Sequence, residues 1–147
     1  MTAAPAWALD RLRAARVGRL ATADAAGRPL VVPVCFALDA EGQRLYSAVD
    51  PKPKRTRDLQ RVRTVRENPR VSLVVDEYDE DWTRLWWVMV RGPAAVLEEG
   101  PEFIAGVDLL IAKYPQYQAL GLERERGVLV RVTIERVLAW RWSETGP

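Results

Sequence analysis

The chain has 147 residues, of which 48% are hydrophobic and 29% charged, and its net charge is only +2. This length fits one domain spanning residues 1–147, and no apolar run is long enough for a transmembrane helix, so no membrane association is expected. Since the chain has no histidine and a single cysteine, Cys35, the usual zinc sites and the histidine-dependent nucleophilic enzymes are excluded as well.

The same absences indicate the compartment and the kind of chemistry. The N-terminus lacks the basic and apolar regions of a secretion signal, and one cysteine cannot form an intramolecular disulfide, so a cytoplasmic protein is predicted. Without histidine, the commonest general base near neutral pH is missing. An enzyme of this composition is therefore expected to use a cofactor and a small-molecule substrate, with no metal.

The first third of the chain predicts a short helix followed by three strands. Apolar residues at near-helical spacing place the helix over residues 6–15. Two β-rich runs, residues 17–22 and 29–38, surround a turn that contains Gly27 and therefore predict a hairpin. Pro33 within the second run favours an edge position or a bulge, and residues 44–49 form a third predicted strand.

The rest of the chain predicts two more helices and three more strands. Residues 54–67 have the pattern of a basic amphipathic helix, and a second helix follows Pro101. Strands are predicted at residues 71–76, at 85–97, where Gly92 and Pro93 indicate a bulge or bend, and from residue 128 onward. The predicted fold is mainly β (α+β), a six-stranded antiparallel barrel with three short helices.

A basic segment after the third strand is the strongest local signal. From Lys52 to Arg66 the chain carries seven basic residues and one acid, directly after a strand that contains Ser47. Cations at a helix start, where backbone N–H groups are free, suit a phosphate. The alternative is a solvated basic helix face. Nucleic acid is not expected as a partner, because no aromatic residue interleaves with these cations to stack on bases.

Tryptophans are the second unusual feature. Trp86 and Trp87 are adjacent in one predicted strand and must point to opposite faces of it. One of them therefore lies outside the barrel, where a dimer interface or a planar ligand would cover it. The acidic residues 76–81 are interpreted as a solvated turn, because they lack the spacing of a cation-binding loop.

Several of these segments resemble the pyridoxamine-phosphate-oxidase-like superfamily of FMN-binding split barrels. The resemblance covers roughly residues 16–98 and is carried by GRLAT at 18–22, GRPLVVPV at 27–34, LYS at 45–47 and ENPRVSLVVD at 67–76. KPKR at 52–55 and DEDWTRLWW at 79–87 are similar to an actinobacterial flavin/deazaflavin branch of probable F420-dependent enzymes. Residues that would hold the substrate phosphate of the oxidases proper are not found.

The resemblance implies a homodimer of split barrels with two cofactor sites between the subunits. It implies that the cofactor phosphate meets Lys52, Lys54, Arg55 and Thr56, with Arg61 as the alternative phosphate ligand. The cofactor ring would lie against the strands that contain Val32, Val34, Ser47 and Ala48, and Trp86 or Trp87 and the Trp140–Trp142 end would arrive from the partner.

The function implied is hydride transfer between coenzyme F420 and a small unsaturated organic substrate. The alternatives are an FMN-binding oxidoreductase with the same barrel and a non-catalytic protein that carries a cofactor. Tyr46, Tyr78 and bound water are the candidate proton donors.

Overall fold

The structure, a computed structural model, describes residues 4–49 and 56–142, and for residues 56–59 it describes the backbone alone. In chain order the elements are α1 (Ala6–Ala14), β1 (Gly18–Ala23), β2 (Pro29–Val34), β3 (Ala37–Leu38), β4 (Arg44–Val49), α2 (Thr56–Glu67), β5 (Arg70–Glu77), a 3-10 turn (Trp82–Arg84), β6 (Trp86–Leu97), α3 (Pro101–Lys113), α4 (Gln116–Leu120), β7 (Val128–Thr133) and β8 (Arg136–Arg141).

The predicted class is confirmed, but the predicted count of six strands and three helices is wrong. The described residues form eight strands and four α-helices. Two predicted strands are each divided: residues 29–38 into β2 and β3, and the last strand into β7 and β8. Both divisions fall where the chain bends from one part of the curled sheet to another, and hydrophobic alternation continues through such a bend.

The strands form one curled antiparallel sheet in the order β2-β1-β5-β6-β7-β4-β3, with β8 pairing with β6 beside this path. The edge position predicted from Pro33 is confirmed, because β2 is the terminal strand. Strand β6 is shared between two halves of the sheet: its first half pairs with β5 and β8, and its second half pairs with β7.

A β-bulge bends the sheet at the middle of β6. Two residues of β6, Gly92 and Pro93, lie between its pairing with β7 and its pairing with β8. The segment opposite them has three residues, Thr133 to Glu135. Gly92 is required there, because a Cβ at this position would lie 1.7 Å from the carbonyl oxygen of Thr133. The bulge or bend predicted from Gly92 and Pro93 is therefore confirmed.

Two hydrophobic clusters hold the fold together. The main core lies inside the curl of the sheet and includes Leu20, Leu45 and Val88, all essentially inaccessible to solvent. The second cluster lies between α3 and the other side of β4, around Phe103 and Leu129. Helix α2 contacts β1 and β6. Within the described part of the chain, no helix has the length and apolar character that crossing a membrane requires.

Candidate functional site

The first part of the basic segment predicted to bind phosphate, residues 52–55, lies between β4 and α2 in the sequence, and the rest of the segment belongs to α2. Strand β4 ends at Val49 and α2 begins at Thr56. The predicted phosphate ligands Lys52, Lys54 and Arg55 lie outside the described residues, and so does the side chain of Thr56. A strand end and a helix start therefore flank the basic segment, and the free N–H groups of the first turn of α2 lie at that end.

Strand β4 presents its residues to two different environments. Leu45 and Val49 belong to the main core, and Ser47, which alternation places on their face, is only 3% exposed. Tyr46 and Ala48 lie on the opposite face, against the cluster under α3. Ser47 and Ala48 therefore cannot both offer their side chains to one ligand.

Val32 and Val34 lie on the same side of the sheet as Ser47. Val34 is part of the main core, and Val32 is half-buried and packs against it. Of the residues predicted to contact a cofactor ring, the structure thus places Val32, Val34 and Ser47 on the core side and Ala48 on the other side of the sheet.

Ala48 shares its side of β4 with Cys35 and Tyr117. All three are half-buried and pack against the α3 cluster. Burial, and next the neighbouring Cys35, raises the pKa of Tyr117, whereas the guanidinium of Arg61 acts in the opposite direction. Arg61, 8% exposed, therefore lies within electrostatic reach of this group. The face that contains Ala48, Cys35 and Tyr117 is called the Ala48 face below.

Lys113 and Tyr114 fix the end of α3 to the bend between β2 and β3. The Phe36 N–H donates to the Tyr114 hydroxyl at 3.1 Å, and this hydroxyl lies 3.0 Å from the carbonyl oxygens of Arg16 and Phe36. The Nζ atom of Lys113 lies 4.2 Å from the centroid of the Phe36 ring. It is buried and makes no hydrogen bond to the described residues.

The charge on Lys113 is poorly solvated. Burial, followed by repulsion from Arg16, lowers the pKa of Lys113 to about 8. The sequence analysis missed Lys113 and Tyr117, because no local pattern connects them to Cys35. Only the packing of α3 and α4 against the β2–β3 bend brings these residues together.

Two tyrosines named as candidate proton donors have other partners. The hydroxyl of Tyr46 donates to Glu102 at 3.0 Å, and the residue is 3% exposed. Burial, and then this hydrogen bond, raises the pKa of Tyr46. Tyr78 is 64% exposed, and its hydroxyl accepts from the Trp82 indole N–H at 3.4 Å. Tyr46 therefore acts as a structural hydroxyl, which ties β4 to α3.

Trp87 lies on β6, which β7 separates from β4 and Ala48 in the strand order. It is half-buried on the outer face of β6, with Asp76 and Trp140 as its register partners on β5 and β8. A cavity of about 480 Å³ opens there and is also lined by Arg19 and Val74. Trp86 points inward and is 8% exposed, so the predicted opposite orientation of the two tryptophans is confirmed.

The described residues contain no group of three or more side chains of the kind that holds a metal ion. Acidic residues after β5 are engaged within the chain. The Asp79 carboxylate accepts from the Asp81 N–H at 2.7 Å, and the Asp81 carboxylate accepts from the Thr83 N–H and hydroxyl. These contacts stabilise the 3-10 turn over Trp82–Arg84.

Comparison with known proteins gives a family and a fold. The sequence model of the family described as "Pyridoxamine 5'-phosphate oxidase" (PNPOx_N) matches residues 6–141. Among curated proteins, none matches the chain significantly.

Solved structures match over nearly the whole chain. A conserved hypothetical protein of Mycobacterium tuberculosis is 20% identical with a TM-score of 0.76, over 100% of this chain and 90% of the other. A FAD-binding protein of Mesorhizobium loti is 28% identical with a TM-score of 0.67, over 88% and 87%. HutZ, the heme storage protein of Vibrio cholerae, is 20% identical with a TM-score of 0.64, over 90% and 89%.

Proposed function

The chain belongs to the pyridoxamine 5'-phosphate oxidase family, and from this premise we propose that it is a homodimeric oxidoreductase that uses the deazaflavin coenzyme F420. One observation carries the proposal: β4 leads through a basic segment directly into α2, within a fold shared with a FAD-binding protein. The choice of F420 rests on the similarity of residues 52–55 and 79–87 to the F420-dependent branch.

The residues around the basic segment fit a phosphate-bearing planar cofactor. Lys52, Lys54 and Arg55 would supply three cations, since they immediately precede α2 in the sequence, and Arg61 adds a buried cation on that helix. Ala48 is small enough to leave room for a ring on its face. Ser47, whose side chain is turned to the core, would contribute backbone groups instead.

The protein supplies binding and orientation, because the chain has no histidine to act as a base near neutral pH. F420, when bound, supplies the hydride chemistry. The basic segment would hold the phosphate, and the half-buried Cys35 and Tyr117 would exclude water from one side of the ring. Since Tyr46 is engaged with Glu102, the proton required by a reduced substrate would come from solvent.

A second copy of the chain would complete the site. Trp87 and Trp140 lie on the outer face of the sheet, on β6 and β8, neither of which pairs with β4 in the described chain. In the next register row of that face, Val74, Met89 and Leu138 are adjacent and half-buried. Association through this apolar face would bury the row and bring Trp87 to the cofactor of the partner.

FMN is the second candidate cofactor, and the 28% identity to a FAD-binding protein favours a flavin over a deazaflavin. The same basic segment would bind its phosphate. A non-catalytic carrier remains the third candidate, because a heme storage protein has the same fold. Turnover distinguishes the carrier from the two enzymes, and the selectivity of binding distinguishes the two cofactors.

Parallel titrations with F420 and FMN test the proposal. Binding is measured by cofactor fluorescence and by the cofactor absorbance that the protein retains after gel filtration. We expect selective F420 binding that is about 10- to 100-fold weaker in Lys54→Gln/Arg55→Gln, which removes two charge-assisted phosphate contacts. Arg28→Gln/Arg126→Gln is the matched control, because it removes the same charge from two exposed positions outside the basic segment.

Each result has a defined meaning. Selective FMN binding would replace F420 in the proposal and keep the site. Unchanged affinity in Lys54→Gln/Arg55→Gln would remove the basic segment from the site. If F420 binds but its reduced form reduces no acceptor in a broad panel of unsaturated compounds, the carrier replaces the enzyme.

A further inference from the structure

The amine of Lys113 is a buried group that the proposed function leaves unused. Its Nζ atom is shielded from solvent, and it forms neither a hydrogen bond nor an ion pair within residues 4–49 and 60–142. It lies instead over the rings of Phe36 and Tyr114, 4.2 and 5.4 Å from their centroids. A lysine in such surroundings is a candidate nucleophile, because its charge is poorly solvated and its neutral form carries a free electron pair.

A charged neighbour of Lys113 is also a cation. The Arg16 guanidinium lies 4.5 Å from the centroid of the Tyr114 ring, and its Nη2 atom donates to the Lys113 carbonyl at 2.9 Å. That carbonyl belongs to the last turn of α3, so Arg16 already supplies the positive charge that a helix end favours. Arg16 makes no ion pair within the described part of the chain. The ammonium of Lys113 therefore adds a second positive charge at this helix end.

The titratable side chains around the amine supply no carboxylate. The Tyr114 hydroxyl is bound to backbone groups of Arg16 and Phe36. Burial raises the pKa of Tyr114 and that of Tyr117, so both phenols are neutral near pH 7. Cys35 is the third titratable group within electrostatic reach, and a thiol is only a weak hydrogen-bond acceptor. Two cations thus meet at the end of α3 without an acidic partner in the described residues.

We propose that Lys113 is a modification site for carbon dioxide, at which its amine forms a carbamate that pairs with the Arg16 guanidinium. The nitrogen lone pair forms a bond to the carbon of CO2, one C–O π bond opens onto oxygen, and the amine releases one proton to solvent. R–NH2 and CO2 thus give R–NH–COO− and H+, with no oxidation or reduction. The product replaces the second cation by an anion, and Arg16 has further N–H groups to donate to it.

The form of Lys113 that reacts with CO2 is accessible near neutral pH. Burial, followed by repulsion from Arg16, lowers the pKa of Lys113 to about 8. About a tenth of the amine is therefore neutral at pH 7 and about half at pH 8, whereas an exposed lysine would be less than about 0.1% neutral at pH 7. Formation of the carbamate should accordingly rise between pH 7 and pH 8 at a constant concentration of dissolved CO2.

The surroundings of the Nζ atom favour CO2 over other electrophiles. An acyl donor would have to bring its leaving group to a nitrogen that the Phe36 and Tyr114 rings shield, whereas CO2 is small, apolar and has no leaving group. An aldehyde would form an imine, which carries no negative charge and leaves Arg16 without an anion. The carbamate is the product that removes the repulsion between the two side chains and adds an ion pair.

The test is 13C NMR of the full chain with 13C-labelled bicarbonate at pH 8 and constant ionic strength. The carbamate is then trapped by alkylation with triethyloxonium and located by peptide mass spectrometry. We expect a saturable carbamate signal and a trapped carboxyl group on Lys113. The α-amino group also forms a carbamate, and its signal should persist in Lys113→Met. Lys52→Gln/Lys54→Gln is the matched control, because it removes the two other lysines of the chain and should keep the Lys113 signal.

Arg16→Gln tests the ion pair. The apparent affinity for CO2 should fall about tenfold, because the carbamate loses its charged partner, whereas Arg126→Gln removes a charge from another exposed position and should leave the affinity unchanged. Equal affinity in Arg16→Gln and wild type would overturn the pairing.

Thermal unfolding separates a covalent carbamate from a bound anion. Bicarbonate should raise the Tm of the wild type and not that of Lys113→Met, and nitrate, a planar anion that forms no bond to nitrogen, should have no such effect. Absence of a trapped group on Lys113 would overturn the proposal, and a Tm rise that nitrate reproduces would then assign the two cations to an external anion. None of these measurements involves a cofactor, so their failure is distinguishable from failure of the proposed function.

Discussion

Lys113 illustrates how one residue can carry an electrostatic cost that its sequence context does not reveal. It occupies the last turn of α3, where a cation is normally favourable. Packing on the β2–β3 bend instead places its Nζ atom over the rings of Phe36 and Tyr114, without a hydrogen bond within the described chain. Attraction to the aromatic faces compensates part of the lost hydration.

Replacing Lys113 should change the pH dependence of stability in a defined direction. Its pKa falls from 10.5 to about 8 in the folded chain, so the unfolded chain binds more protons between these values and wild-type stability rises across that window. Lys113→Met should stabilise the protein at pH 7 by about 0.5–1 kcal/mol, a value reduced for the partial exposure of the residue. This advantage should shrink as the pH approaches 10.

Urea unfolding at pH 7, 8.5 and 10 measures the effect. Lys113→Arg is the control. A guanidinium stays charged throughout this range, so the stability of this variant should not rise with pH in the same way. A stability difference between wild type and Lys113→Met that is the same at all three pH values would contradict the prediction.

At the scale of elements, strand β6 determines the shape of the molecule. Its first half pairs with β5 and β8 and its second half with β7, so the bend at Gly92 separates two halves of the sheet. The bulge opposite Gly92 is held by the Glu135 N–H, which donates to the Arg91 carbonyl at 2.9 Å. Gly92 also lines a cavity of about 490 Å³, together with Arg91 and Arg136.

Gly92→Ala should destabilise the fold by about 3 kcal/mol, because the new methyl group would collide with the Thr133 carbonyl, and neither backbone can move freely within a paired sheet. Gly27→Ala is the matched control. Gly27 has a φ of 81° in an open turn with no atom near the added Cβ, so only the backbone cost of about 1 kcal/mol applies. Thermal or denaturant unfolding compares the two, and equal losses would show that the bulge tolerates a side chain.

At the scale of the whole molecule, the outer face of the sheet determines whether two copies of the chain associate. Val74, Met89 and Leu138 form an apolar row beside Trp87 and Trp140 on the face opposite the main core, whereas α1 and α2 pack into that core through Leu12 and Val65. An antiparallel sheet commonly has one face against the core and one toward solvent, with polar residues on the latter. Here the outer face is apolar at its centre, which is the pattern of an interface.

Met89→Glu should therefore convert a dimer into a monomer, because the carboxylate would be buried at the centre of the interface without a partner. Cofactor affinity should fall with it if Trp87 contacts the cofactor of the partner. Light scattering after gel filtration measures the mass. Ile104→Glu is the control, since Ile104 is 36% exposed on α3, away from this face. A dimer that survives Met89→Glu at micromolar concentration would place the interface elsewhere.

The sequence by itself determined the class of the fold and most of its elements. The β-rich runs of β1, β4 and β5, the glycine and proline of β6 and the proline at the start of α3 are local signals, and each of these elements was predicted near its observed place. The basic segment after β4 is also a local signal, because charge and proline content are visible without a structure.

Only the tertiary structure decided which residues share a face. It separated Ser47 from Ala48, turned Tyr46 to Glu102 and divided two predicted strands at bends that hydrophobic alternation cannot reveal. It also joined residues from distant parts of the chain, such as Cys35 with Tyr117, and Thr22 and Ser72 with Arg91 and Arg136. The physical reason is that periodicity reports which residues prefer burial, whereas the partner of each buried or charged group depends on how the sheet curls and pairs.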